Sequence, residues 1–296
     1  MHAPVLLKEV VDWLGPKENE NFIDATLGEA GHSLEILKKN GPKGKILGIE
    51  QDQEILAATI KTLNASDYGH RIILVNDNFV NLKKIVADRN FSKIKGIVMD
   101  LGISSWQLQE SGRGFSFLRD EPLIMSLAGK KGLTADKIVN YWSKPELERI
   151  FKEFGQEKFA GRIAENIVLR RRVRQIKTTL ELVEIIKKAV PMNYERGRIS
   201  PATRTFMALR ITVNNELENL QIALPQAIDV LEKGGKLAVI SFHSLEDKIV
   251  KHFFKAEEKK ERVKVLTKKP IMASTQELQI NQRSRSAKLR VVQKTI

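Results

Sequence analysis

Two hydrophobic rhythms alternate along the first third of the chain. Short apolar runs at residues 22–25, 45–49, 71–75 and 96–99 are separated by stretches in which apolar residues recur every three or four positions, near 33–40, 53–63 and 80–88. The short runs predict buried parallel strands and the spaced stretches predict amphipathic helices. Their alternation predicts an α/β fold, an open sheet with helices on both faces. Past Gln107 the strand rhythm disappears. Residues 144–154, 158–172 and 178–189 carry helical spacing, and so do 202–213 and 215–231. Strand character returns at 236–241, and a last apolar alternation at 288–293 reads as an edge strand. The expected organisation is a discontinuous α/β domain, residues 1–106 and 201–296, interrupted by an all-helical insertion at 107–200.

Composition narrows this further. With 42% hydrophobic and 29% charged residues over 296 positions, the chain can bury a substantial core. It has no cysteine, which excludes disulfides, zinc–thiolate sites and cysteine nucleophiles and fits a cytoplasmic protein. The opening "MHAPVLLKEVVD" lacks the basic start and apolar core of a signal peptide, and no apolar stretch approaches the ~20 residues that span a bilayer. A soluble protein with no membrane partner is expected. Fifty Lys and Arg against 36 Asp and Glu leave a net charge of +14, which favours a polyanion such as nucleic acid as partner.

Polar residues collect where the predicted strands end. In "FIDATLGEAGHS" the first strand stops at Asp24, and Gly28 and Gly31 lie in the turn before a helix, a place where backbone N–H groups approach an anionic ligand. The second strand ends in "LGIEQD", so Glu50 falls 22 positions after Gly28, the spacing of an acid that accepts hydrogen bonds from ribose hydroxyls. The third ends in "VNDNF", where Asp77 and Phe79 can flank an adenine, although Phe79 also suits a core position. The fourth ends on Asp100 in "MDLGISS". Ligands of open α/β sheets bind outside the carboxyl ends of the strands, so the four ends predict one crevice for a nucleoside-containing cofactor. The G-x-G-x-x-G fingerprint and the Walker P-loop are both absent, which argues against NAD and nucleoside triphosphates.

Taken together, "HAPVLLKEV", "DATLGEAGHS", "MDLGISS", "RGFSF", "ATRTFMALRITVNNEL", "VISFHSLED" and "RSRSAKLR" closely resemble one family. It is the family of bacterial S-adenosylmethionine-dependent methyltransferases that act on the N4 amino group of a cytidine in the decoding region of 16S ribosomal RNA, within the small ribosomal subunit. The resemblance implies a Rossmann-like methyltransferase sheet, S-adenosyl-L-methionine as cofactor, and the helical insertion as the part that recognises RNA. It implies that Ala30, Gly31 and His32 lie at the methionine end of the cofactor, that Glu50 meets its ribose and Phe79 its adenine, and that Asp100 and Gln107 complete the site. The family has Gly where Ala30 stands and Asp where Glu50 stands; Ala30 is then expected to keep a negative φ or to carry little strain. In "DEPLIMSL", Ile124 and Ser126 replace an acid and an arginine, which leaves a catalytically impaired RNA-binding protein on the same fold as the rival reading.

The chemistry implied is methyl transfer to an amine whose lone pair is delocalised into the cytosine ring. A site helps by accepting its N–H bonds, aligning the nitrogen and excluding water. Asp100 is the candidate acceptor, or else only a cofactor ligand, with Ser104 and His243 as further catalytic candidates. Ser241 and His243 either close the base pocket or form a network at a strand end. Asp247 stands too near Ser244 and His243 in sequence for a hydrolase triad, and the scattered His2 and His32 predict no metal site. Arg171, Arg172 and Arg174, with Arg283, Arg285 and Arg290, are candidate phosphate contacts; the first three also suit a solvated helix end. Trp106, Phe115 and Phe117 either stack a flipped base or pack a core.

Overall fold

Strand alternation decides which face of the sheet each residue joins, and the computed structural model, which describes residues 4–129, 132–194 and 200–296, bears out the α/β expectation. Helices α1 (Leu7–Leu14), α2 (Gly31–Lys39), α3 (Gln53–Asn64) and α4 (Leu82–Asp88) interleave with strands β1 (Asn21–Asp24), β2 (Ile46–Ile49), β3 (Ile72–Val75) and β4 (Ile94–Asp100). Among the described residues, helices α5 (Ser105–Gln109), α6 (Ala135–Tyr141), α7 (Lys144–Glu153), α8 (Ala160–Val173), α9 (Thr179–Ala189) and α10 (Thr203–Asn214) follow. The chain then closes with α11 (Glu216–Val230), β5 (Leu231–Ser241), α12 (Ser244–Lys259), β6 (Val263–Val265), α13 (Thr275–Ile280) and β7 (Lys288–Lys294). His2 lies outside the described residues.

The sheet runs β3-β2-β1-β4-β5-β7-β6. Strands β1 to β5 are parallel, while β7 is antiparallel to β5 and to β6. This is a Rossmann-like sheet, with the strand order reversing between β1 and β4, where ligands of such sheets bind. On one face Ile97 and Met99 of β4 and Leu237 and Val239 of β5 pack with Leu224 of α11 and Val250 and Phe254 of α12. On the other, Val98, Ala238 and Ile240 pack with Val10 of α1 and with Ile36 and Leu37 of α2. The segment expected as an edge strand is interior, because the short β6 pairs with its free side and becomes the edge. Three residues are too few to raise a period-two signal.

The chain divides into two compact units, Met1–Gly102 with Leu217–Ile296, and Ile103–Glu216. The helical unit therefore extends past residue 200, where the sequence pattern had ended the insertion, and includes α10. The reason is packing: Phe206, Ala208 and Leu209 of α10 share a core with Leu147 of α7, Ile163 of α8 and Ile186 of α9.

Helix α2 carries the glycine turn at its start and is anchored at its other end by Arg71. This arginine, which the sequence pattern placed in a strand, is buried. Its Nη1 donates to Asn40 Oδ1 at 2.8 Å and to the Gly44 carbonyl at 2.9 Å, and its Nη2 donates to the Leu37 carbonyl at 2.5 Å. The guanidinium thus satisfies the Leu37 carbonyl, one of those that a helix end leaves without an intrahelical donor, with the macrodipole in its favour, and ties it to the loop that follows. Arg71→Met removes every one of these donors and should lower stability by about 3 kcal/mol, since charged hydrogen bonds contribute about 1.5–3 kcal/mol each and their buried partners are left unmet. Urea denaturation reads this directly; a midpoint within error of wild type would contradict the role of Arg71 as anchor.

Candidate functional site

The turn between β1 and α2 needs left-handed backbone, and the structure supplies it at Gly28 (φ 50°) and at Ala30 (φ 62°). Of the two alternatives for Ala30, a negative φ or little strain, the first is therefore not adopted. Its methyl is fully buried against Leu27, Leu56 and Leu63, so packing offsets part of the strain of a left-handed alanine. Gly31 has a different reason: a Cβ there would come within 2.2 Å of Pro4 Cγ, so the early chain lies directly on the start of α2. Glu50, at the end of β2, is buried, and Oε2 accepts from Gly28 N at 2.9 Å while Oε1 accepts from Asp52 N at 2.8 Å. The acid that the spacing selected thus holds the glycine turn itself. Burial pushes its carboxyl up to about 7, even though both backbone bonds and their pull act downward.

Two more carboxylates end the neighbouring strands. Asp24 on β1 is buried, accepts from Ser33 Oγ at 2.7 Å and from Thr26 N at 3.3 Å, and is pushed up to about 6 by desolvation. Asp100 on β4 donates its backbone N–H to Thr26 Oγ1 at 2.6 Å, but its side-chain Oδ1 is buried with no hydrogen-bond partner. Desolvation, then the negative charges of Asp24 and Glu246, hold the Asp100 carboxyl well above the usual aspartate range. His32 stands beside it, Nδ1 being 3.9 Å from Asp100 Oδ2. The Val5 carbonyl, 3.0 Å from His32 Nε2, can only accept, so Nε2 carries the proton and Nδ1 presents a lone pair toward Asp100. Burial lowers this imidazole to about 4, leaving it neutral. Phe79 opens a single 3-10 turn after β3 and is half-buried; Asp77 nearby accepts from Asn78 N and Asn81 Nδ2.

At the end of β5, His243 caps α12. Its Nδ1 accepts from Glu246 N at 3.4 Å, and Glu246 Oε2 accepts in return from the backbone N–H groups of Phe242 and His243. His243 Nε2 lies 3.2 Å from Glu246 Oε1. Asp247 is turned away to Arg290 and Lys288. No Ser–His–Asp relay exists here. Ser241 Oγ donates to the Lys288 carbonyl at 3.4 Å, a bond along the β5–β7 ladder.

Within the helical unit, Ser104 and Gln107 form the capping box of α5, Ser104 Oγ accepting from Gln107 N and Gln107 Oε1 from Ser104 N. Both sequence candidates therefore have a local structural task. Phe115 belongs to the helical core, and Phe117 meets Phe206 edge-on at 5.5 Å between ring centroids, so core packing accounts for both. Trp106 is half-exposed and carries the Arg113 guanidinium 5.5 Å from its ring centroid. Ile124 and Ser126 are buried, and the Ser126 carbonyl accepts from Arg113 Nη1 at 3.1 Å.

The arginine candidates separate by environment. Arg290 is buried and forks onto Asp247 at 2.6 and 3.3 Å, so it is an internal ion pair rather than a phosphate contact. Arg171 donates to the Val139 carbonyl and Arg174 pairs with Glu181 at the end of α8. Arg172 and Arg285 are exposed, and Arg283 is half-buried. Sequence reasoning missed Asp24 and Glu246 as site residues. Asp24 had the same signal as Glu50 and Asp100, an acid ending a strand, but Glu246 was hidden because histidine is not the usual residue at the head of a capping box.

Asp24 and Glu50 bind protons more tightly folded than unfolded, so their contribution to stability is complete below about pH 4 and is lost as pH rises through about 6 and 7. Asp100 adds a loss of the same sign. The ligand-free protein should therefore melt at progressively lower temperature between pH 5 and pH 8. Asp100→Asn replaces a carboxyl that desolvation makes costly to ionise with an amide that can donate to His32 Nδ1, so it should raise the pH 8 melting temperature by roughly 3 °C, the effect of about 1 kcal/mol. Differential scanning calorimetry across that range checks both; a variant melting below wild type at pH 8 would contradict the cost assigned to Asp100.

A family model described as the MraW methylase family matches residues 1–295. The ribosomal RNA small subunit methyltransferase H of Clostridium botulinum (strain Loch Maree / Type A3) is 46% identical over 308 aligned residues, covering 99% of this chain and 98% of that protein. Its counterpart from strain Kyoto / Type A2 is also 46% identical, with the same coverage. Among solved structures, a crystal structure described as a candidate rRNA-methylase from Clostridium thermocellum superimposes with a TM-score of 0.51 over 99% of this chain and 100% of that one; at 15% identity it supports the fold alone. With the family pattern running through both units and two close relatives matched nearly end to end, this chain belongs to the MraW methylase family.

Proposed function

We propose that the protein is an S-adenosylmethionine-dependent methyltransferase of small-subunit ribosomal RNA, acting on the N4 amino group of a cytidine in the decoding region of 16S RNA. The observation that carries this reading is the row of carboxylates at three adjacent strand ends, Asp24 and Glu50 buried and Asp100 half-buried, with no cation among the described residues lowering any of them and with one buried oxygen of Asp100 unpartnered. Such a row fits a ligand that brings positive charge and hydroxyl donors. S-adenosylmethionine has both, and supplies, when bound, a methyl group activated by a sulfonium.

In this reading Glu50 accepts from the ribose hydroxyls through lone pairs that its two backbone bonds leave over. The turn at Gly28, Ala30 and Gly31 and the first N–H groups of α2 receive the amino-acid end, and Phe79 packs on the adenine. Asp100 receives an N4–H of the cytosine and orients the amine. No strong base is needed, because the proton leaves after methyl transfer has made the nitrogen cationic. Neutral His32 stands beside Asp100 without adding a positive charge that would compete with the cofactor. The helical unit recognises the RNA, with Arg172 exposed to phosphates, and the exposed Arg285 and half-buried Arg283 of the sheet unit are further phosphate candidates; a ribosomal substrate implies a cytoplasmic protein. The rival reading, an impaired binding protein, is not favoured: the relatives at 46% identity are named methyltransferases, and Ile124 and Ser126 are packed inside the helical unit.

The test is incubation of unmethylated small subunits with the protein and labelled S-adenosylmethionine, followed by mass mapping of the nucleosides; the expected product is an N4-methylated cytidine, and absence of label in the RNA would defeat the proposal. Cofactor binding should tighten between pH 6 and pH 8, because a cationic ligand favours the ionised carboxylates; isothermal titration in two buffers should show protons released. Glu50→Ala should weaken it at least about tenfold, as loss of one charge-assisted hydrogen bond of about 1.5–3 kcal/mol implies. Asp100→Asn should slow single-turnover methylation at saturating cofactor by roughly 10²–10³, the scale of one oriented electrostatic contact. A rate restored by saturating cofactor would make Asp100 a binding residue only.

A further inference from the structure

Helix α12 sorts its charges. All four of its acids are engaged: Glu246 by backbone N–H groups, Asp247 by Arg290 and Lys288, Glu257 by Lys260 and Arg262, and Glu258 by Val265 N. Lys248, Lys251, His252, Lys255 and Lys259 are exposed and, among the described residues, make neither ion pair nor hydrogen bond. Lys248, His252, Lys255 and Lys259 recur at steps of four, three and four, so they share one helix face, with Lys251 at its margin. The row is about 16 Å long at 1.5 Å per residue. Like charges at this spacing repel and weaken a helix, and the macrodipole favours only Lys259, in the last turn. The pattern fits an external polyanion.

The same face opens onto a cavity of about 440 Å³ between α11 and α12. Leu224 is buried at its base, Ile249 and Phe253 are half-buried around it, and Gln221, Lys248 and His252 are exposed at its rim. Pockets that hold small organic groups have this size and this mixture of apolar walls and few polar groups. Lys248 and His252 belong to both the cavity and the basic row. A ligand filling both has a flat apolar part joined to a chain of negative charges, which is the chemistry of single-stranded RNA with one base unstacked. Gln221 offers both a donor and an acceptor to a base edge.

We propose that the α11–α12 cavity receives an unstacked nucleobase of the RNA substrate, outside the cofactor crevice, and that the lysine row of α12 carries the phosphates that follow it. This rests on the RNA methyltransferase reading. The test uses the full chain and a fluorescein-labelled single-stranded RNA of about 12 nucleotides, within the usual range of single-strand binding sites. In anisotropy titrations Lys251→Glu combined with Lys255→Glu should weaken binding at least about tenfold and flatten the log–log salt dependence by about 1.4, two single-strand phosphate contacts. Affinity for S-adenosylmethionine should stay as in wild type. A 4-thiouridine in the same RNA should cross-link, on irradiation, to the peptide 245–253. An unmoved salt slope, or adducts only outside α12, would overturn the proposal and leave the row a solvated or protein-docking face. If wild type labels ribosomal RNA while the slope stays unmoved, the inference alone has failed; if wild type labels no RNA, the methyltransferase reading has failed and the anisotropy still reads the α12 row.

Discussion

Putting three carboxylates side by side in a poorly solvated crevice, with no cation among the described residues pairing with them, is the electrostatic constraint that organises this protein. Each is expensive to ionise there, and a structure selected for stability alone would pair or remove them. The surroundings are arranged to tolerate them instead. Backbone N–H groups hold Glu50, a hydroxyl and a backbone N–H hold Asp24, and the histidine next to Asp100 is kept neutral by burial and by its bond to the Val5 carbonyl. Only Asp100 keeps an unmet oxygen. Sheet order makes the cluster unavoidable: β1 lies between β2 and β4, so acids at the three strand ends must be neighbours.

The turn and the acids are also one mechanical unit. Glu50 reaches back 22 positions to the N–H of Gly28, Thr59 of α3 donates to the Gly28 carbonyl, and Arg71 ties down the far end of α2. Ligand-binding groups are thereby positioned by elements that do not themselves meet a ligand. Pro4 and Val5 add a cover over the start of α2, and Glu277 of α13 fixes that cover by accepting from Leu6 N.

Much of this was legible in the amino-acid order, for physical reasons. Residues such as Ile97 to Met99 and Leu237 to Ile240 must be apolar on both faces, so the parallel strands announce themselves, and the acids that end them stand out against that background. What could not be read has equally definite causes. Strand β6 is too short to show a period. Phe115 and Phe117 look the same in sequence whether they stack on a base or on Phe206. Arg290 and Arg285 sit five residues apart in one basic segment, yet Asp247 buries the first and leaves the second in solvent. Only the fold reveals which cation has already been neutralised.

The pairing of β4 with β5 has a kinetic side. Asp100 lies opposite Ile240, and the whole helical unit, Ile103–Glu216, is strung between the two strands. Closing so long a loop adds little to the equilibrium cost, because closure entropy grows only with the logarithm of length. The order of events is another matter. At about 5–20 residues per second a ribosome needs on the order of ten seconds to make the residues between β4 and β5. For that time β4 holds an open, strongly apolar edge, while the contacts between successive helices α7, α8 and α9 can already form. The interval between synthesis of the two strands is when the nascent chain is most exposed to aggregation, and a helical unit that collapses early shortens the distance the last strand must search.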